Sequence, residues 1–170
     1  MAKNINIEGA KIIFRNFAGT RFSDGKRNFS IVLDDKDAET LREEGWNVKQ
    51  FETRDGDIIN HLPVDVRFQR NPDFEHLNPA IWWIAGDSRT KLSEKAVGNL
   101  DHAEIANVDI VIRPYDYSKK FKVKKGDPFI KAQVKSMYVT VIEDSVDAKY
   151  RAIRNTAAAI ADDDEEVPFD

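Results

Sequence analysis

The sequence predicts a mainly β fold, an antiparallel barrel of short strands with one to three short helices and a disordered acidic C-terminal tail. Three observations predict it. Apolar and polar residues alternate with period two in short runs, those runs outnumber helical patterns by about two to one, and turn signals such as Asp24-Gly25 separate them.

The elements follow in order. Asn4-Ile5-Asn6-Ile7-Glu8 alternates strictly, Lys11-Ile12-Ile13-Phe14-Arg15 is a denser apolar run, and Asn28-Phe29-Ser30-Ile31-Val32-Leu33 is the third strand. The stretch from Gly19 to Lys26 reads as a hairpin loop with a basic tip, while Phe14 and Phe29, inside apolar runs, read as core. Asp34 or Asp35 caps a helix from Lys36 to Glu44 that Gly45 stops. Leu62, Val64, Val66 and Phe68 share the buried face of a strand whose other side shows Pro63, Asp65 and Arg67, and the proline places that strand near an edge. Ala80 to Ala85 forms a short apolar strand, Ser93 caps a brief helical segment through Asn99, and Val108, Ile110 and Ile112 alternate with Asp109, Val111 and Arg113. The last long strand runs from Phe129 to Ile142, with a slip near Ser136 that a bulge would require. Val146, Tyr150 and Ile153 fall at helical spacing after Ser145. Short strands closed by one long bulged strand fit a small barrel of the OB type, although a β-sandwich meets the same pattern. The expected organisation is a core over 1–144, a helix-like connector over 145–161 and an acidic tail over 162–170.

At 170 residues the chain suits one domain, and the absence of cysteine removes disulfides, thiolate zinc sites and cysteine nucleophiles together. No apolar run approaches the roughly 18 residues of a membrane helix, so a cytoplasmic protein without membrane contact is expected. The net charge of −4 conceals an asymmetry: Asp162, Asp163, Asp164, Glu165, Glu166 and Asp170 hold six of the 30 acids, leaving 26 basic against 24 acidic side chains before them, about +2.

That positive excess is clustered. Arg113-Pro114-Tyr115-Asp116-Tyr117-Ser118-Lys119-Lys120-Phe121-Lys122-Val123-Lys124-Lys125 combines six cations with three aromatics and one acid, and alternation puts Arg113, Tyr115 and Tyr117 on one face. Lysines neutralise phosphates while bases stack on aromatic rings, so the combination suits a single nucleic-acid strand. The same residues also read as barrel packing beside a solvated hairpin tip. A second set is Arg15, Phe17, Arg21, Phe22, Lys26 and Arg27, in which Phe22 is either a base platform or a loop anchor. A third is Trp82 and Trp83 with Arg67, Arg70, Arg89 and Lys91; adjacent strand residues point oppositely, so one tryptophan is core and the other partly available. Lys131, at the start of the last strand, joins the binding set.

Enzyme signals are weak. His61, His76 and His102 lack two-ligand spacing and read as surface or locally hydrogen-bonded side chains, Asp55-Gly56-Asp57 reads as a turn, and neither a P-loop nor a nucleophile elbow occurs. A non-enzymatic protein without cofactor or metal is expected.

Five consecutive acids followed by Val167-Pro168-Phe169 repel one another into an extended segment with an apolar tip suited to a partner's pocket. Asp162-Asp163-Asp164-Glu165-Glu166-Val167-Pro168-Phe169 resembles the tails of bacterial and phage single-stranded DNA-binding proteins, which close with acidic residues and Ile-Pro-Phe; the wider pattern looks more like a divergent phage member. The resemblance implies an OB-fold core that binds single strands without sequence preference. It also implies a tail that recruits replication, recombination and repair proteins and competes with DNA for the basic groove. Two departures stand out: Asp170 follows Phe169, and the helix-like stretch through Ala161 replaces a flexible Gly/Pro/Gln-rich linker. The rival readings are an all-β structural or interaction protein with a solubilising tail, and a nuclease using Asp or Glu with a divalent metal.

Overall fold

The structure, a computed structural model, describes residues 3–21, 23–118 and 120–142. The chain order is β1 (Ile5–Ile7), β2 (Ile12–Asn16), β3 (Arg27–Leu33), α1 (Asp35–Glu44), β4 (Lys49–Glu52), β5 (Ile58–Val66), β6 (Ala80–Ala85), β7 (Ser88–Lys91), β8 (Ile105–Asp116) and β9 (Ile130–Val141), with short 3₁₀ turns at Pro72–Leu77 and Val97–Asp101. The helix-like spacing after Ser145, the acidic tail, Phe22 and Lys119 lie outside the described residues.

β9 organises the sheet. One edge pairs antiparallel with β8 along its length; the other runs parallel first to β5 and then to β6. The order is β1-β8-β9-β5-β3-β2, with β4 on β5 and the β6–β7 hairpin on β9. The result is the expected mainly β, OB-like fold, but the sheet is open and mixed rather than an antiparallel barrel, because β5 and β6 both run parallel to β9. Because Asp65 registers with Gln133 and Ala80 with Ser136, β6 resumes the line along β9 that β5 leaves. Residues 67–79 are therefore an excursion that leaves the sheet and returns to it.

Alternation fills the core. Phe29, Ile31 and Leu33 of β3 face inward with Leu62, Val64 and Val66 of β5, Ile110 and Ile112 of β8, and Val134, Met137 and Val139 of β9. The slip near Ser136 is a bulge: the β8–β9 register jumps from Val111 opposite Ser136 to Ile112 opposite Val134, which leaves Lys135 as the extra residue and keeps both ends of β9 in phase with the core. The Asp34 side chain accepts the Asp37 N–H at 2.7 Å to start α1, and Gly45, at φ 100°, ends it as expected.

Several expectations need correcting. Pro63 does not mark an edge, since β5 lies inside the sheet; it falls between the residues paired with β4, through His61, and those paired with β9, from Val64, so its missing N–H coincides with a change of partner. Phe68 lies beyond the end of β5. The segment capped by Ser93 becomes helical only at Val97–Asp101, although Ser93 Oγ does accept the Ala96 N–H. Phe14 is not core: it is 42% exposed and its φ is +53°, the one positive φ outside glycine among the described residues. Phe17 is buried and stacks on Phe29 with centroids 4.9 Å apart, which removes it from the available aromatics.

Candidate functional site

The face of the sheet turned away from the core is set by the same alternation. On β5 it carries His61, Pro63 and Asp65, and the registers place Asn28 beside Asp65, Gln133 beside Asp65 on β9, and Arg113 and Tyr115 beside Gln133 and Lys131. At this junction lies a groove of about 430 Å³. Its walls are Asp24, Gly25, Lys26 and Arg27 from the β2–β3 loop and the start of β3, and Arg67, Phe68 and Arg70 from the excursion; Asp65, Tyr115, Lys131 and Gln133 are strand residues, and Glu94 comes from beyond β7.

Local bonds hold the walls. Buried Asn16 donates to the Lys26 carbonyl at 3.0 Å and accepts the Arg21 N–H at 3.2 Å, and the Asp101 carboxylate accepts the Phe17 and Ala18 N–H groups. Asp24 accepts the Lys26 N–H, and Arg27 pairs with Glu94 at 3.0 Å. On the other wall, Asn78 accepts the Gln69 N–H at 2.6 Å and the Arg113 guanidinium donates to the Leu77 carbonyl at 2.9 Å, fixing the excursion to β8. Five cations, Lys26, Arg27, Arg67, Arg70 and Lys131, thus converge on three carboxylates, Asp24, Asp65 and Glu94, giving a net positive groove. Burial pushes the Asp65 carboxyl above its ordinary range, and the charges of Lys131, Lys26 and Arg67 draw it partly back.

Of the first set of candidates, Tyr115 lines the groove with the Lys120 ammonium 5.9 Å from its ring centroid. Tyr117 is half-buried, donates its hydroxyl to the Pro128 carbonyl and has Lys131 5.6 Å from its ring. Phe121 is 65% exposed, and Lys120, Lys122, Lys124 and Lys125 are exposed around it, outside the groove lining. From the second set, Lys26 and Arg27 reach the groove. Arg15 does not: its guanidinium donates to the Leu100 and Ala103 carbonyls at 2.9 and 2.6 Å, which ties β2 to the second 3₁₀ turn.

The third set divides. Arg67 and Arg70 belong to the groove, whereas Arg89 and Lys91 lie on β7, with Lys91 opposite Trp82. Trp83 packs against the core; Trp82 is on the other face, in register with Tyr138, which is exposed. Trp82 is thus the available tryptophan. Buried Trp46 is a third, whose indole nitrogen has no hydrogen-bond partner.

Sequence reasoning missed Phe68, Asp65 and Gln133 as groove residues. Arg67-Phe68-Gln69-Arg70 is a basic-aromatic run with no acid, and that signal was available once the strand was ended at Val66. It also missed Phe14 and Phe51, whose rings meet at 5.1 Å over His61 at 5.4 and 5.5 Å. His61 is locally hydrogen-bonded, its Nδ1 lying 2.9 Å from Ser30 Oγ; burial, then the charge of Lys49, lowers its pKa, and the ring stays neutral at neutral pH. Among the described residues no three His, Asp or Glu side chains gather as a metal site, and no helix is long and apolar enough to cross a membrane.

The family model described as "Putative phage ssDNA-binding domain" matches residues 1–170. Solved structures similar to the chain include the single-stranded DNA-binding protein from bacteriophage Enc34 in complex with ssDNA, 10% identical with a TM-score of 0.44 over 83% of this chain and 88% of that one. Another is a single-stranded DNA-binding protein encoded by bacteriophage T7, 12% identical with a TM-score of 0.39 over 84% and 88%. No curated protein matches the sequence. With its whole length matched by that family model, the chain belongs to the phage ssDNA-binding domain family.

Proposed function

We propose that this protein binds single-stranded DNA without sequence preference and acts by binding rather than by catalysis. The observation that carries the reading is the groove, where five cations from separate parts of the chain surround Tyr115 and Phe68. Cations at intervals suit phosphates, and an aromatic face accepts any base, so the arrangement reads backbone and stacking and not sequence. Lys120, Lys122, Lys124 and Lys125, with Phe121, extend the basic surface beyond the groove, and Trp82 with Lys91 offers a further station for the strand.

The wider role that follows is to protect and organise single strands during replication, recombination and repair, in the host bacterial cytoplasm for a phage-encoded protein. Residues 1–144 form the binding core and 145–161 the connector. The acids from Asp162 to Glu166, closed by Val167-Pro168-Phe169, recruit replication and recombination proteins; their sequence, an acidic run ending in an apolar tip, supports that role.

Filter binding across a salt series tests the core of this reading. Affinity for oligo(dT) should fall with a log–log slope of about −0.7 per phosphate neutralised, so about −3 for a groove with five cations of which Arg27 is already paired. Duplex DNA of the same length should bind far more weakly. Equal affinity for duplex, or a slope near zero, would overturn it.

A further inference from the structure

Phe14 departs from its strand. The β2–β3 register breaks between Ile13 and Asn16, and inside that bulge Phe14 takes φ +53°, a conformation that side chains other than glycine rarely adopt. The strained backbone does not bury the residue, which stays 42% exposed. Strain held at an exposed aromatic residue points to use of that side chain.

We infer that Phe14 and Phe51 form a second base-stacking platform for the same DNA strand, separate from the groove; this rests on the groove's being a single-stranded DNA site. The two rings lie 5.1 Å apart, tilted by 60°, and both rest on the edge of His61, which is anchored on Ser30. The platform therefore has a fixed, uncharged floor. Cations flank it: the Arg21 guanidinium stands 5.8 Å from the Phe14 centroid, and Lys49 is registered opposite His61. Aromatic rings between two cations suit a base and its phosphates.

The platform continues from the groove. His61 and Asp65 share one face of β5, four residues and about 13 Å apart at about 3.3 Å per residue. The loop that walls the groove with Asp24 to Arg27 also places Arg21 on Phe14, so one segment serves both places. A strand leaving the groove along β5 arrives at Phe14 within a few nucleotides.

Fluorescence anisotropy with the full chain and labelled oligo(dT) of about four and about sixteen nucleotides tests this, the lengths bracketing one OB-type site. Phe14→Leu/Phe51→Leu should weaken the longer oligonucleotide about ten- to a hundredfold, leave the shorter one unchanged and keep the salt slope, because no charge is removed. Phe14→Gly, which adopts the positive φ without strain, repeats the loss without overpacking or unfolding. Wild-type affinity of these variants for the longer oligonucleotide, or equal losses on both lengths, overturns the platform while leaving the groove intact. A lowered sedimentation coefficient of the variants at equal concentration also overturns it, by making the patch a contact between copies of this chain. Failure of the wild-type protein to bind either length overturns the groove reading itself.

Discussion

Three carboxylates share the groove, and they are not equivalent. Glu94 is neutralised by Arg27 and Asp24 caps the turn at Lys26, whereas Asp65 sits in the floor, raised in pKa by burial with Lys131, Lys26 and Arg67 around it. A folded-state pKa above the unfolded value means that the stability this group contributes is complete at low pH and is lost as pH rises through the raised value. Its ionised form also opposes incoming phosphates. Single-stranded DNA affinity should therefore rise as pH falls from neutrality through the raised carboxyl pKa, and Asp65→Asn should bind about fivefold more tightly at neutral pH, about 1 kcal/mol of relieved repulsion, with a flatter pH profile. Anisotropy titrations of both proteins across that range check it. Reading from residues to site brought side chains together where chemistry was concentrated in sequence: Lys26, Arg27, Tyr115 and Lys131 all line the groove. It failed where the backbone decides direction. Nothing in Ile12-Ile13-Phe14-Arg15 announces that a bulge turns Phe14 outward, or that Arg15 spends its guanidinium on two carbonyls.

At the scale of elements, α1 shows how tightly its stop is built. Gly45 has φ 100°, its carbonyl accepts both the Phe129 and Ile130 N–H groups, and a Cβ there would collide with the Phe129 ring. Gly45→Ala should cost about 2–4 kcal/mol, the sum of a left-handed backbone penalty and overpacking, read as a lower urea midpoint with unchanged m-value. The helix was legible because its caps are local chemistry, Asp34 at one end and Gly45 at the other. The apolar strands were legible for a similar reason; Ala80–Ala85 was bounded as it stands. β4 and β7 were not, since Lys49-Gln50-Phe51-Glu52 and Ser88-Arg89-Thr90-Lys91 carry almost no apolar alternation. Those two form because β5 and β6 present open backbone edges to them, a tertiary cause that local pattern does not record. The direction of β9 relative to β5 and β6 depends likewise on the excursion of residues 67–79, which composition marks only as a polar loop with two prolines.

Over the whole molecule, the basic groove and the acidic run at 162–166 are covalently joined, and a tethered polyanion of this kind is expected to compete with DNA at a high local concentration. Removing residues 162–170 should tighten oligo(dT) binding several-fold at low salt, and the gain should fade as salt shortens the screening length to about 8 Å near physiological ionic strength. A salt-dependent comparison of the truncated and full chains checks this; identical affinities at low salt would sink it.

The parallel register between β5 and β9 comprises two residue pairs, Val64 with Ala132 and Asp65 with Gln133, and it runs beneath the groove. On one side of this seam stand Lys26, Arg27, Arg67 and Arg70, and on the other Lys131 and Tyr115. A polyanion bound across it would grip both banks and so fasten the sheet at its narrowest join. Ligand occupancy and folding would then be linked: a strand at a hundred times its dissociation constant would add about 2.7 kcal/mol to the folded state.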